Sequence, residues 1–322
     1  MRVIIIDGTG HIGTYLAPRL ARAGHEVTVI SRGGRKPYHP DAAWEAVRMV
    51  TVQREKAEAD HQFGTLVRSL EGEIVIDLIC FRVESAKELV EALRGQIRHF
   101  LHCGTIWKHG PATEVPLVEE AHTTPFGEYG IQKAAIERYL LNEARQRGFP
   151  ATIIDPGHIT GPGWRMINPQ GNLNPAVFEK LARGDELLLP NFGLETLHHV
   201  HADDVAQAFE RAIDHWSVSV GEAFHAVSPA ALTLRGYAQA IARWFGQQPN
   251  LRCVPWDEWR TSVSHEDAEA TYDHIAHSPS ASIAKAQRLL GYQPRYSSLQ
   301  AILEGLQWLI EHGEVKLPHK SR

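Results

Sequence analysis

The sequence predicts an α/β fold: a doubly wound parallel sheet with a smaller, mostly helical C-terminal lobe. Through the first half of the chain, short β-branched and apolar runs alternate with helical stripes, the pattern of a parallel sheet covered by helices on both faces. A glycine-rich turn, Gly8-Thr9-Gly10-His11-Ile12-Gly13, stands between the first such run and the first helix. Beyond Pro156 the texture changes to loop and then, from about residue 230, to mostly helix.

Val3–Ile6 reads as a buried strand. Ile12, Leu16 and Leu20 recur every four residues and mark the apolar stripe of a helix that Gly24 closes. Glu26–Ser31 is the second strand and Val47–Val52 the third. Ile74–Cys80 is nearly all apolar, as expected of a strand covered on both faces. Ser85–Leu93 is helical, and a further strand begins at His99–His102. A long helix over Tyr129–Arg147 leads to a strand at Ala151–Ile154. The Gly-, Pro- and Asn-rich stretch 157–175 reads as loop, Ala176–Arg183 as helix, Leu197–His201 as strand and Asp203–Ile213 as helix. Thr233 is an expected N-cap.

Bulk composition narrows the function classes. The chain has 322 residues, 43% hydrophobic and 22% charged, ordinary values for a globular protein. Its net charge of -5 and pI of about 6.4 give no broad basic field, which argues against a nucleic-acid partner. The three cysteines, Cys80, Cys103 and Cys253, are odd in number and widely spaced. They make neither a disulfide framework nor a paired-cysteine metal site, and they fit a reducing compartment. The apolar run at residues 3–6 is too short for a signal-peptide core. No apolar stretch approaches the roughly 20 residues that span a bilayer. A cytoplasmic protein with no membrane contact is expected. The basic tail Lys316 to Arg322 reads as a short solvated segment.

Gly8, Gly10 and Gly13 satisfy the dinucleotide fingerprint of a Rossmann-type sheet, in the required place between strand and helix. Gly8 allows the tight turn, Gly10 lets a pyrophosphate approach the backbone, and Gly13 lets helix and strand pack closely. The helix N-terminus then offers free N–H groups to the phosphates. The second strand ends in Ser31-Arg32-Gly33-Gly34-Arg35-Lys36, with three cations and no acid. An acid there would bind the ribose 2′-hydroxyl of NAD, whereas an arginine accommodates the 2′-phosphate of NADP. The sequence therefore favours NADP over NAD.

Tyr129 and Lys133 form a Y-x-x-x-K pair at the head of a helix, four apart and so on one face. A lysine ammonium ~4 Å from a phenol, in an effective dielectric of ~20, would favour the phenolate by about 4 kcal/mol. That would bring a phenol of ordinary pKa ~10 close to neutrality and suit it to acid–base work.

Together the glycine turn and this pair resemble the extended short-chain dehydrogenase/reductase superfamily, and within it the NAD-dependent epimerase/dehydratase family. Tyr129-Gly130-x-x-Lys133-Ala134-Ala135-x-Glu137 is similar to the family's helix motif. The segment His99 to Gly110 resembles its strand ending in a catalytic hydroxyl, with Thr105 five before the closing Gly110. Pro156-Gly157-His158, followed by Gly161-Pro162-Gly163, is similar to the segment beside the nicotinamide. His199 to Ala206 and Leu290-Gly291-Tyr292-x-Pro294 resemble two further family elements.

The resemblance implies that Tyr129 is the general acid/base, that Lys133 tunes it and holds the nicotinamide ribose, and that Thr105 hydrogen-bonds the reacting oxygen. The implied cofactor set is Gly8, Thr9, Gly10, His11, Ile12, Gly13, Ser31, Arg32, Cys80, Tyr129, Lys133, Pro156, Gly157 and His158. Residues 1–160, joined by about 197–228, form the expected dinucleotide-binding domain; 161–196 and 229–322 form the substrate-binding lobe. A homodimer is the assembly common in this family.

Three departures from the family pattern stand out. Aspartate, Asp7, occupies a usual glycine position. Ile106 and Trp107 follow Thr105 where the 4,6-dehydratases carry an Asp-Glu pair, so that elimination chemistry is disfavoured. Lys108-His109-Gly110 replaces a frequent Val-Tyr-Gly. Trp107, His109 and Asn168 are the candidates for contact with a small-molecule substrate. Among the 19 histidines, His198-His199-x-His201 invites a metal site, but on a strand His198 points away from the other two and no metal is expected. Cys103 is expected to be a buried, inert thiol. Three functions remain open: a reductase or dehydrogenase with net cofactor turnover, a redox-neutral epimerase, and a homologue that binds nucleotide or RNA without catalysis.

Overall fold

The structure is a computed structural model that describes residues 1–122 and 124–317; residues 318–322 of the basic tail lie outside it. Strand β1 (Arg2–Ile6) leads through the glycine turn into helix α1 (His11–Arg22), then β2 (Glu26–Ser31) and β3 (Arg48–Thr51). Two short helices, α2 (Arg54–Ala59) and α3 (Phe63–Ser69), precede β4 (Ile74–Asp77), α4 (Val83–Leu93) and β5 (His99–Cys103). A 3-10 turn at Ile106–His109 is followed by the long α5 (Gly127–Arg147), β6 (Ala151–Pro156) and the short β7 (His158–Thr160). Next come α6 (Ala176–Arg183), β8 (Leu187–Pro190), β9 (Thr196–Leu197), β10 (His199–His201), α7 (Ala202–Asp214), α8 (Trp216–Ser219) and β11 (Ala223–Ala226). The chain ends in β12 (Leu232–Thr233), α9 (Leu234–Trp244), β13 (Leu251–Val254), α10 (Trp256–Trp259), α11 (His265–His277), α12 (Ala284–Leu290) and α13 (Ser298–Glu311).

Seven strands form one sheet in the order β3-β2-β1-β4-β5-β6-β11, and every neighbouring pair is parallel. The alternation of apolar side chains along β1 explains its burial on both faces. Val3 and Ile5 enter one core, and Ile4 and Ile6 the other, because successive strand side chains point to opposite sides. A third core joins α6, α9 and α13 in the C-terminal lobe. Strand order reverses between β1 and β4, the position where doubly wound sheets open a crevice beyond the strands' carboxyl ends.

Some boundaries depart from the sequence reading. The strand expected at Ile74–Cys80 ends at Asp77, whose carboxylate accepts two hydrogen bonds from the Arg54 guanidinium, at 2.7 and 3.0 Å. The run expected as one strand over Leu197–His201 serves two sheets. Thr196–Leu197 pairs with Leu232–Thr233, and His199–His201 pairs with His158–Thr160. Thr233 caps α9 as expected, its hydroxyl accepting from the Gly236 amide at 3.0 Å. Among the described residues no helix is long and apolar enough to cross a membrane.

Candidate active site

The glycine turn is fixed by packing as well as by any ligand. A Cβ at Gly13 would lie 2.3 Å from the Gly8 carbonyl oxygen, and one at Gly8 would lie 2.6 Å from Val29. Helix α1 is therefore seated directly on its own turn. Gly10 takes the N-cap position of α1, where no side chain caps the helix. The amides of its first turn consequently have no intrahelical partner and offer themselves to an anion.

The second half of the site comes from β5, β6 and α5. Cys103 ends β5, and the chain leaves the sheet there at the carboxyl end of the strands. The Thr105 amide donates to Asp155 Oδ1 at 2.9 Å, and the Thr105 hydroxyl accepts from the Trp107 amide at 3.3 Å. The other Asp155 oxygen accepts from Lys108 Nζ at 2.7 Å, and Lys108 also donates to Glu137 Oε1 at 2.5 Å. This buried triad braces Thr105 from behind. Gly104 is required there, since a Cβ would sit 2.0 Å from Asp155 Oδ1. Burial and the neighbouring Asp155 push the Glu137 carboxyl up to about 8.

One cleft of about 390 Å³ joins the two halves. Gly10, His11, Ile12 and Gly13 line one end, and Thr105, Trp107, Tyr129, Lys133, Pro156, Gly157 and His158 line the other. Tyr129 is 43% exposed and lines the cleft. Lys133 is buried, and its Nζ donates to the Cys103 carbonyl at 2.7 Å. It stands 4.9 Å from the Phe81 ring centroid and 5.9 Å from that of Tyr129.

The electrostatics correct the sequence argument. Burial raises the Tyr129 pKa above its ordinary value of 10.0, Cys103 adds to the rise, and the hydrogen bond with Thr105 lowers it. Removing a phenolate from water outweighs the attraction expected from Lys133, whose own pKa burial lowers from 10.5. The phenol is thus held as a proton donor.

Several sequence candidates lie elsewhere. Gly8 and Thr9 lie in the turn itself, Ser31 ends β2 and Arg32 follows it; none of these four lines the cleft. Ser31 is buried, its hydroxyl accepting from the Gly33 amide at 3.3 Å. Cys80 is buried with its thiol pushed up to about 12 by burial, and its sulfur donates to the Arg82 carbonyl. His109 is buried away from the cleft against His225, with their Nε2 atoms 2.9 Å apart. Asn168 is consumed by its own loop: its amide donates to Asn172 Oδ1 and the Asn174 carbonyl, and its carbonyl oxygen accepts from the Gln170 amide. Trp107 does face the cleft, stacked on His277 at 4.1 Å and edge-on to Tyr129 at 6.0 Å. Cys103 is buried, and its thiol is likewise pushed up to about 12 by burial.

The structure adds lining residues that the sequence reading did not name as contacts: Asp7, Phe81, Trp164, Arg165, Leu173 and His274. Trp164 stacks on His11 at 5.0 Å. His274 comes from α11 and lies 5.2 Å from His158, ring to ring. Trp164 and Arg165 follow directly on Gly161-Pro162-Gly163, which pointed to their neighbourhood; nothing in the sequence pointed to His274. His198, His199 and His201 are engaged in separate contacts, with Ser228 and Ala281, with Ile167, and with Asp203 and Glu304. Among the described residues no group of three or more histidines, cysteines or acids is placed to hold a metal ion.

The model of the NAD dependent epimerase/dehydratase family matches residues 3–225. The chain is 27% identical to a 2'-dehydrokanamycin reductase of Streptomyces kanamyceticus, over 98% of this chain and 86% of that one. It is 24% identical to the chloroplast stem-loop binding protein of 41 kDa b of Arabidopsis thaliana, over 94% and 78%. A solved UDP-glucose 4-epimerase from Thermotoga maritima has the same fold, with a TM-score of 0.73 at 19% identity, covering 97% of this chain and 99% of that one.

Proposed function

The chain belongs to the NAD dependent epimerase/dehydratase family, and from that premise we propose that it is an NAD(P)-dependent oxidoreductase. It acts at a carbinol or carbonyl carbon of a small polar, sugar-like substrate. The observation that carries this reading is the single cleft joining the uncapped start of α1 to Thr105, Tyr129 and Lys133.

The residues present fit a dinucleotide. The uncapped amides of α1 suit its pyrophosphate, and Lys133 and Pro156–His158 line the end suited to its nicotinamide ribose. When bound, it would supply or accept a hydride. Tyr129, protonated and in contact with Thr105, gives its proton to the carbonyl oxygen during reduction and recovers it in the reverse direction. Thr105, braced by Asp155, orients that oxygen. Trp107, His158 and His274 line the wall of the cleft. Arg32, Arg35 and Lys36 after β2 support NADP rather than NAD. Ile106 and Trp107 after Thr105 supply no acid–base pair for dehydration. We assign residues 161–196 and 229–322 to the substrate-binding lobe, which contributes Arg165, Leu173 and His274 to the cleft.

The test is turnover of keto-sugar and hydroxy-sugar panels with NADPH, followed by absorbance at 340 nm and by product mass. Cofactor consumption matched by substrate reduction supports the reading. An isomerised substrate with no absorbance change replaces it with a redox-neutral epimerase. A chain that binds RNA and turns over nothing, with Tyr129→Phe leaving its cellular role intact, sinks both.

A further inference from the structure

One carboxylate in the cleft has no part in the chemistry proposed above. Asp7 follows β1 with φ of 63°, in the left-handed region that glycine takes freely and aspartate tolerates. That conformation carries its side chain over the glycine turn, where a Cβ at Gly10 would lie 2.9 Å from Asp7 Oδ2. Gly10 is the residue whose bare Cα admits a pyrophosphate to the backbone. The Asp7 carboxylate therefore lines the same approach that the phosphates would use.

Its charged surroundings are few. Arg32 and Arg35 approach from beyond β2, Asp77 from the end of β4 and Arg54 from α2. Arg54 is held by Asp77 in a two-bond pair. His11 on α1 lines the same wall, and burial lowers its pKa to about 3, so it is neutral. The Tyr38 phenol lies close enough to feel the carboxylate. Burial raises the Asp7 pKa above its ordinary 3.8, Arg32 and Arg35 oppose the rise, and Asp77 adds to it.

We propose that Asp7 is a cofactor-contacting residue that links dinucleotide binding to proton uptake: a pyrophosphate seats on the Gly10 turn at full affinity only when the Asp7 carboxyl is protonated. The proposal rests on the dinucleotide reading of the cleft. Its sign is fixed by charge. An anion placed beside the carboxylate disfavours the ionised form, so binding raises the Asp7 pKa and takes up a proton. Affinity then falls as pH rises. At an effective dielectric between those of protein and water, one neighbouring unit charge is worth about tenfold in affinity.

NADH is the probe, because it lacks the 2′-phosphate, whose own titration near pH ~6 would overlap. The full-length wild type, Asp7→Asn and Asp7→Gly are titrated with NADH from about pH 8 down to the lowest pH at which circular dichroism shows all three folded, with nicotinamide fluorescence as the readout. Both replacements tolerate a left-handed backbone, so a misfolded variant is not the expected outcome. Wild-type Kd should rise with pH, and the gap to both variants should widen to about tenfold, with the variants tighter. Variants that bind NADH no tighter than the wild type at about pH 8, or the same slope across a measurable transition in all three proteins, overturn the proposal and leave the dinucleotide reading standing. Weaker binding by both variants at every pH also overturns it, since the carboxylate would then be helping the ligand. If none of the three binds NADH or NADPH, both readings fall together.

Discussion

Tyr129 places one hydroxyl between the Thr105 side chain and the open cleft, and burial keeps it protonated. Tyr129→Phe removes that oxygen and little else. Turnover of the substrate identified in the panels should fall by about 10²–10⁴, the usual size of an acid–base contribution, with a far smaller change in the Kd for NADPH. Near-wild-type rates would remove Tyr129 from the chemistry. Arg32 supports a different expectation. Arg32→Glu should weaken NADPH far more than NADH, because only the former carries a 2′-phosphate. Equal weakening in a binding titration would mean that the arginine does not meet that phosphate. Residues of this kind were legible in the sequence because their motifs are contiguous: a turn before a helix, or a pair one helical turn apart. His274 and Phe81 were not, since only the packing of distant segments brings them to the cleft. Cys80, His109 and Asn168 show the reverse failure. Each lies within a few residues of the site along the chain, yet its side chain is committed to Arg82, His225 or the loop 168–174. The acidity of Tyr129 also escaped the sequence, because spacing gives the distance to Lys133 but not the burial that outweighs it.

At the level of elements, the seat of α1 on β1 is the joint on which cofactor binding depends. Gly13→Ala would drive a methyl into the Gly8 carbonyl, backbone against backbone. The helix must then lift, at a cost of about 1–3 kcal/mol for overpacking of this kind. NADPH affinity should fall with it, as the first-turn amides move. Gly34→Ala is the control, because a Cβ there meets nothing within 4 Å. Urea unfolding of the two variants should separate them; equal midpoints would deny the close seat. The strands of the main sheet could be read because each carries its apolar pattern locally. The breaks at Asp77 and His198 could not, since a buried ion pair with Arg54 and a change of partner strand decide them. Strand β7 inside the expected loop 157–175 likewise exists through its pairing with β10, not through its own sequence.

The whole molecule carries an unusual number of histidines in its interior, and their titration should govern its response to acid. Burial lowers His11, His99 and His199 to about 3, and His109, His198 and His274 to about 4. It holds His102, His158 and His225 well below their ordinary 6.5. In the unfolded chain all of these return to about 6.5. Between the folded and unfolded values the unfolded state binds more protons, so stability rises with pH across that window and is lost as pH falls through it. With every one of these groups fully in play the slope approaches ~12 kcal/mol per pH unit. That is comparable with the entire stability of a typical domain, 5–15 kcal/mol or about that. The buried carboxyls Glu137, Glu119, Asp204 and Asp7, all raised by burial, act in the opposite direction. They are fewer and oppose only part of the slope. The chain should therefore unfold cooperatively on acidification, with a midpoint near pH ~5.5 and a Tm that falls steeply from about pH 7 downward. Calorimetric scans over that range, with proton uptake measured on unfolding, test this directly: a Tm independent of pH, or uptake of one proton or less, would contradict the neutral histidine interior. Loss of turnover in the same range would then report the fold's failure, and a titrating Tyr129 could be recognised only above it.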